Sequence, residues 1–467
     1  MESEPKKRKL LILSTLFFNK VGNQSLLETI KCYEKYFDVY LITSASKKND
    51  YYYQLEEIKN QFDCTKVIYV YQFIPNILRK IRTFVSIFKK KSTDVKVSNS
   101  FENLHYTKLN LLSYKYASIF LYNKAKQIIK KYGCDTICAY EIGAVKPVIQ
   151  IKKNKLAPGA KYFAKYQGSV LGFSYKESEN PDYYKKYKID IDAYNLSNMF
   201  DMCAITNDGT NGRQVLEHFG VDLNKIICLP NGLAPSIRNA NISCKIDNKH
   251  IKLFTLSRLV GWKRVYLSIQ IMDKLINEYK DNRFTLKIYG HGSETEIKFL
   301  ENLIIEKNLA DYVKICGAVP FDEVLNVYEE NDVFLSLYKD TNVTNPLLEA
   351  VSLNKIVISI KDNNLTELLK DTKSGRVFLI EEKDEVDLVD SIAILLKDVD
   401  FSTLKDTENF DLSWENRIKK EISFLMRNEE IETSKTIDNS DIFHSTNVWG
   451  GHRKLVTKNT YIQRKIA

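Results

Sequence analysis

Short apolar runs recur along the chain, separated by stretches in which apolar residues fall at helical spacing. Leu10–Thr15, Val39–Thr43, Lys66–Tyr71, Thr136–Tyr140, Ala160–Ala164, Asp201–Thr206 and Lys225–Leu229 read as strands, and Ser25–Tyr36 as the first helix. The strands are nearly continuous in apolar character instead of alternating with polar residues. That is what a parallel sheet covered on both faces requires, so residues 1–233 read as one α/β unit. Residues Ala234–Lys249 are polar and carry little pattern, which suits a linker region.

The alternation then restarts. Strands Lys252–Leu256, Thr285–Tyr289, Val313–Ile315, Val333–Leu337 and Ile356–Ser359 are interleaved with helices Val265–Glu278, Glu294–Glu306, Asp322–Glu329 and Pro346–Leu353. A second doubly wound unit over 234–410 follows. Trp414–Met426 reads as one more helix, within 411–428, and the basic tail 429–467 takes no assignment. The length of 467 residues agrees with two domains instead of one core.

Charge adds something the pattern does not. The net charge is +10, yet residues 1–230 hold about 36 Lys and Arg against about 22 Asp and Glu, and the remainder is slightly acidic. The first half therefore meets something acidic: a membrane surface, a phosphorylated acceptor or nucleic acid. No helix-turn-helix, RNP-like or zinc-finger spacing accompanies the charge, which ranks nucleic acid last. Ile74–Lys91 is a basic amphipathic segment, with Ile77, Ile81, Phe84, Ile87 and Phe88 at helical spacing beside Arg79, Lys80, Arg82 and Lys89–Lys91. It reads either as a helix packed on its own domain or as a membrane- or acceptor-facing surface. Eight cysteines lie scattered without zinc-type spacing, as reduced core thiols in a cytosolic protein do. Lys6–Lys9 ahead of Leu10–Phe18 mimics a signal peptide, but the run is short and lacks a cleavage site, so a first strand fits better.

Ligands of open α/β sheets bind beyond the carboxyl ends of the strands, so the chemistry is sought in those loops. Ser257-Arg258-Leu259-Val260-Gly261-Trp262-Lys263-Arg264 joins a strand to a helix. Two fixed cations, Arg258 and Lys263, near a helix start suit a diphosphate. Tyr289-Gly290-His291-Gly292 offers close backbone approach, although an ordinary strand-to-helix turn gives the same pattern. In Asp340-Thr341-Asn342-Val343-Thr344-Asn345-Pro346-Leu347-Leu348-Glu349, Asn345 is a good N-cap and Pro346 fits the first helical position. Glu349, one turn in, is placed to accept hydrogen bonds from sugar hydroxyls. Glu141, at the end of another strand, reads as an acceptor contact or a structural cap.

The order Pro230-Asn231-Gly232, Ser257-Arg258…Lys263, Gly290-His291-Gly292, Cys316-Gly317-Ala318-Val319 and Pro346…Glu349-Ala350 resembles glycosyltransferase family 4. The resemblance covers residues 8–425 and is specific from 228 to 378. It implies a GT-B fold: two Rossmann-like doubly wound domains facing across a cleft, with a C-terminal crossing helix. It further implies sugar transfer, with retention, from a nucleotide-sugar donor to a glycan or lipid-linked acceptor in cell-surface polysaccharide synthesis. The setting would be cytoplasmic, peripheral on the cytosolic membrane face, with an anionic membrane surface as a further partner. No cofactor or metal is implied; the nucleotide-sugar is the substrate.

Position by position, the resemblance matches Arg258 and Lys263 to the pair on the donor diphosphate and Glu349 to the second acid of a paired-Glu motif, which holds the donor ribose. Gly290, Gly292, Val319, Thr341, Asn342, Thr344 and Asn345 fall in donor-binding loops. Gly22 and Asn23, after the first strand, fall in the loop lining the cleft, and Trp414 opens the crossing helix. Two positions depart from the family. Thr341 stands where the first Glu is expected, with Asn342 and Thr344 in place of glycines. Tyr166-Gln167-Gly168-Ser169 stands where many members carry a His, and Gln167 cannot carry a proton. Two alternatives follow: a GT-B scaffold that lost activity with the first Glu, and a nucleotide-sugar epimerase.

Overall fold

The apolar runs become the central strands of two parallel sheets in the computed structural model, which describes residues 7–18, 20, 25–44, 52–69, 108–240, 242, 246–408, 410 and 412–427. Gly22, Asn23, the Ile74–Lys91 segment, Cys244 and the tail 429–467 lie outside the described residues.

The first sheet has seven strands: β1 (Arg8–Ser14), β2 (Phe37–Thr43), β3 (Lys66–Tyr69), β4 (Thr136–Tyr140), β5 (Lys161–Tyr166), β6 (Met202–Thr206) and β7 (Ile226–Leu229). Their spatial order is β3-β2-β1-β4-β5-β6-β7, all parallel, with Leu10 opposite Val39 on one side and Thr136 on the other. The second has six: β8 (Ile251–Leu256), β9 (Phe284–Tyr289), β10 (Val313–Gly317), β11 (Val333–Ser336), β12 (Ile356–Ile360) and β13 (Val377–Ile380), in the order β10-β9-β8-β11-β12-β13. Both orders reverse direction once, between β1 and β4 and between β8 and β11, which opens a crevice at each sheet's carboxyl edge. Leu10 to Leu13 and Val333 to Leu335 are fully buried, as strands covered on both faces must be.

Several elements depart from the sequence expectation. The linker region contains a helical turn, Pro235–Arg238. Strand β13 and the helix Glu385–Asp398 carry the chain on beyond Ile356–Ser359. Before β4 runs a 25-residue helix, Lys108–Tyr132, whose Leu121, Ala125, Ile128 and Ile129 pack into the first core.

Trp414–Met426 forms a helix capped by Ser413, whose Oγ accepts from Asn416 N at 3.0 Å. It returns to the first domain, where Trp414, Ile418, Phe424 and Leu425 join the core with Leu10, Tyr33 and Phe163. Full burial of such side chains stabilises by about 1.5–3 kcal/mol each. Beneath them sits a buried polar network. Glu421 takes Lys165 Nζ at 2.6 Å, Arg417 Nε at 2.9 Å and the Tyr33 hydroxyl at 3.0 Å. Arg417 also donates to Pro230 O at 3.0 Å, Asn231 Oδ1 at 2.6 Å and Thr206 Oγ1 at 2.9 Å. Burial pulls the Lys165 ammonium down to about 8. Burial also works to raise the Glu421 carboxyl, but the two cations beside it outweigh this and hold it below its usual value.

Candidate functional site

The loops that follow β8, β9 and β10 are tied together by backbone hydrogen bonds that outlast the strands. Ser257 N donates to Tyr289 O at 3.1 Å, Leu259 N to His291 O at 2.7 Å and Gly290 N to Gly317 O at 2.7 Å. Gly290 permits this approach: it has φ +146, and a Cβ there would stand 1.7 Å from Ser257 O. Gly292 pairs with Leu259 in the same ladder. The cation-bearing loop thereby starts from a fixed backbone.

Its three cations have different fates. Arg264, nearly buried, is saturated: Nε donates to Leu337 O at 3.0 Å and the guanidinium grips the Glu382 carboxylate. Arg258 is exposed and Lys263 is 8% exposed, and among the described residues neither has an ion pair. The Lys263 ammonium lies between two rings, 4.0 Å from the Trp262 centroid and 3.5 Å from that of Tyr338. Burial and the Arg258 charge hold it well below the usual lysine value, against the weaker pull of Asp208 and Asp340.

The opposite wall is the 338–349 loop and the helix Asn345–Ser352. The expected cap at Asn345 is shifted. Thr344 holds the N-cap position, makes no side-chain cap bond, and its buried hydroxyl lacks a partner. Asn345 is instead the first helical residue, and its side-chain carbonyl accepts from Asn231 Nδ2 at 2.8 Å. The helix start therefore faces the cleft uncapped, and unsatisfied N–H groups with the positive dipole end favour an anion. Glu349, half-buried, accepts from the Tyr328 hydroxyl at 2.8 Å; burial raises its carboxyl to about 7.

Arg258, Lys263, Gly290, Val319, Thr341, Thr344, Asn345, Glu349 and Gln167 line one cavity of about 410 Å³ between the domains. Gly292, Asn342, Gly168 and Glu141 are not on its wall. Asn342 spends its amide on its own loop, accepting from Ser336 Oγ at 3.0 Å and Tyr338 N at 3.1 Å and donating to Tyr338 O at 3.1 Å. Glu141 has φ +68, its carboxylate accepts from Gln167 N, and burial raises it to about 7. Gln167 in turn donates to the Tyr140 hydroxyl at 3.0 Å. Gly168 leaves room for Asp208, whose Oδ2 a Cβ would approach to 2.1 Å.

Thr341 forms a bridge between the domains. Thr341 Oγ1 donates to Asp208 O, in the loop after β6, at 2.6 Å and receives Val343 N at 3.2 Å. Asp208 itself lines the cavity, its carboxylate held by Thr210 N at 3.0 Å and by the Thr210 hydroxyl; burial raises it to about 6. Sequence reasoning misses Asp208, although it follows a strand end just as Glu141 does. It also leaves Asn231 without a role, since nothing local announces that this side chain links Asn345 to Arg417.

These two Rossmann-like sheets, meeting across a cation-lined cleft and locked by a returning helix, define the GT-B class. Residues 238–410 match the family model described as "Glycosyl transferases group 1". Over 190 residues the chain is 24% identical to a phosphatidylinositol N-acetylglucosaminyltransferase component from Arabidopsis thaliana; the match spans 40% of each chain. Among solved structures it resembles a glycosyltransferase from Rickettsia africae (14% identity, 92% of this chain and 100% of that one, TM-score 0.60). Anabaena HepE in complex with UDP is similar (14%, 92% and 100%, TM-score 0.55), as is sucrose-phosphate synthase from Thermosynechococcus elongatus (12%, 91% and 98%, TM-score 0.57). Among the described residues no helix is long and apolar enough to cross a membrane.

Proposed function

We propose that the protein transfers a sugar, with retention, from a nucleoside-diphosphate-sugar bound by the second domain to a glycan or lipid-linked acceptor approaching the first, at the cytosolic face of a membrane during surface-polysaccharide synthesis. What carries the reading is a buried cation that, among the described residues, forms no ion pair: Lys263, with Arg258 beside it and Asp208 and Asp340 exerting only a weaker pull, across one cavity from an uncapped helix start. A diphosphate supplies the missing negative charge. As the sugar–phosphate bond breaks, charge grows on the leaving diphosphate, and fixed donors aimed there lower the barrier. Glu349, opposite, accepts the ribose hydroxyls. Retention needs no carboxylate nucleophile if the departing phosphate takes the acceptor proton, so positioning and charge stabilisation do the work.

UDP complexes among the structural neighbours support a uridine nucleotide as the first donor to try. Calorimetric titration with UDP, GDP and ADP, then turnover of the matching sugars, tests the reading. Binding with turnover that Lys263→Ala removes is expected; turnover that survives Lys263→Ala overturns it. Thr341 favours a second reading, an inactive scaffold, because the first acid is absent and its place is taken by a contact to Asp208. Tight nucleotide binding without turnover on any sugar would select that reading. Conversion of a UDP-sugar to its epimer without an acceptor would select the epimerase.

A further inference from the structure

Large apolar side chains are left exposed singly on most protein surfaces, so a cluster is informative. Among the described residues eleven large apolar side chains are exposed, and four share one face of the helix Lys108–Tyr132: Leu112 (45% exposed), Tyr116 (36%), Ile119 (46%) and Phe120 (41%). Their spacing of four, three and one keeps them within about a third of the helix circumference. They occupy just over two turns, about 12 Å of helix length. The core-facing stripe is a different set, Leu121, Ala125, Ile128 and Ile129, so the exposed face is surplus to folding.

The helix's own charge has one sign, although Asp190 and Asp192 of the helix Pro181–Leu196 act on its Tyr114, with Asp192 paired to Lys188 at 3.1 Å. The helix carries Lys108, Lys115, Lys124, Lys126, Lys130 and Lys131 and no acidic residue. A second copy would bring the same lysines against these. An occupant must be apolar beneath and negative above, as an anionic bilayer is.

The cluster is also on the right edge. The helix ends beside the start of β1, where Lys9 Nζ donates to Tyr132 O at 2.6 Å, so its first turns lie toward the carboxyl edge of the sheet, the edge that faces the cleft. We propose that the Leu112–Tyr116–Ile119–Phe120 face of this helix seats the first domain on an anionic lipid surface, with the cleft mouth toward the bilayer. The proposal takes its purpose from the membrane-side acceptor suggested above, but its test needs neither donor nor turnover.

The full chain is sedimented at low salt with phosphatidylcholine vesicles, with and without phosphatidylglycerol. Binding to the anionic vesicles alone, released by added salt, is expected. The combined variant Leu112→Gln, Tyr116→Gln, Ile119→Gln, Phe120→Gln is expected to lose at least about tenfold in binding. Lys115→Gln and Lys124→Gln should each cost about fivefold. Phe299→Gln with Ile305→Gln, exposed apolar positions on the second domain, should change nothing. Nucleotide titration of each variant shows whether the cleft stays intact, separating this proposal from the donor-site reading. Three results overturn it: no sedimentation of the parent chain, equal binding by the combined glutamine variant, or a dimer in light scattering that this variant dissolves.

Discussion

Two of the three lysines buried among the described residues, Lys165 and Lys263, are buried for opposite reasons. Lys165 lies under the returning helix with Glu421 at 2.6 Å, beside Arg417 and the Tyr33 hydroxyl. Lys263 lies in the cleft wall with aromatic faces for neighbours and, among the described residues, no ion pair. Burial depresses both ammonium groups. Lys165 has that cost offset within the fold. Lys263 does not, and the free energy its desolvation consumes becomes available when an anion arrives. A satisfied buried charge joins parts of a structure; an unsatisfied one in a cavity marks where a ligand goes.

The contrast breaks most forcefully at Glu421. Glu421→Ala leaves Lys165 and Arg417 buried without their shared counter-charge, and urea denaturation should show a loss of about 3–5 kcal/mol. Lys263→Ala should do the reverse, lowering kcat/KM for donor turnover by about 10²–10³ with an unchanged or raised melting temperature. If both variants merely unfold the protein, the two lysines are not different in kind. Glu349→Gln sharpens the picture on the other wall. Losing an ionised acceptor should weaken nucleoside diphosphate binding by at least about tenfold.

The Glu349 carboxyl carries a pH signature as well. Burial raises it to about 7 from 4.5, so its contribution to stability is full below pH 4.5 and is lost as pH rises through 7. Nucleotide binding runs the other way, strengthening as the carboxylate ionises through pH 7. Calorimetry between about pH 5.5 and 8.5 should show that rise in the parent and a smaller one through pH 7 in Glu349→Gln, where Asp208, raised to about 6, still titrates. The smallest effect belongs to the bridge between domains. Thr341→Val removes the hydrogen bond to Asp208 O and the longer one received from Val343 N, and should cost about 1–2 kcal/mol in denaturant unfolding.

The sequence by itself determined the two sheets, because strands covered on both faces must be apolar throughout and the pattern shows it twice. It also singled out Arg258 and Lys263, from a charged loop after a strand end, and Glu349, through the family resemblance; all three line the cavity between the domains. The helix Trp414–Met426 was legible from the pattern, and its return to the first domain only from the family resemblance. Strand β13, half-buried along its length, carries a weaker apolar signal that the pattern does not separate from its surroundings.

Tertiary structure alone decided which charges are spent. Arg258, Lys263 and Arg264 stand within one short loop, yet only Arg264 meets a carboxylate, on Glu382, far along the chain. Asn345 leaves the capping role to Thr344 because Asn231 claims its side-chain carbonyl. Asp208 and Thr341 meet only when the domains do. Apolar periodicity is a local property that repeats along the chain. The satisfaction of a buried polar group is settled by whichever distant residue packs against it, and no window of sequence contains both.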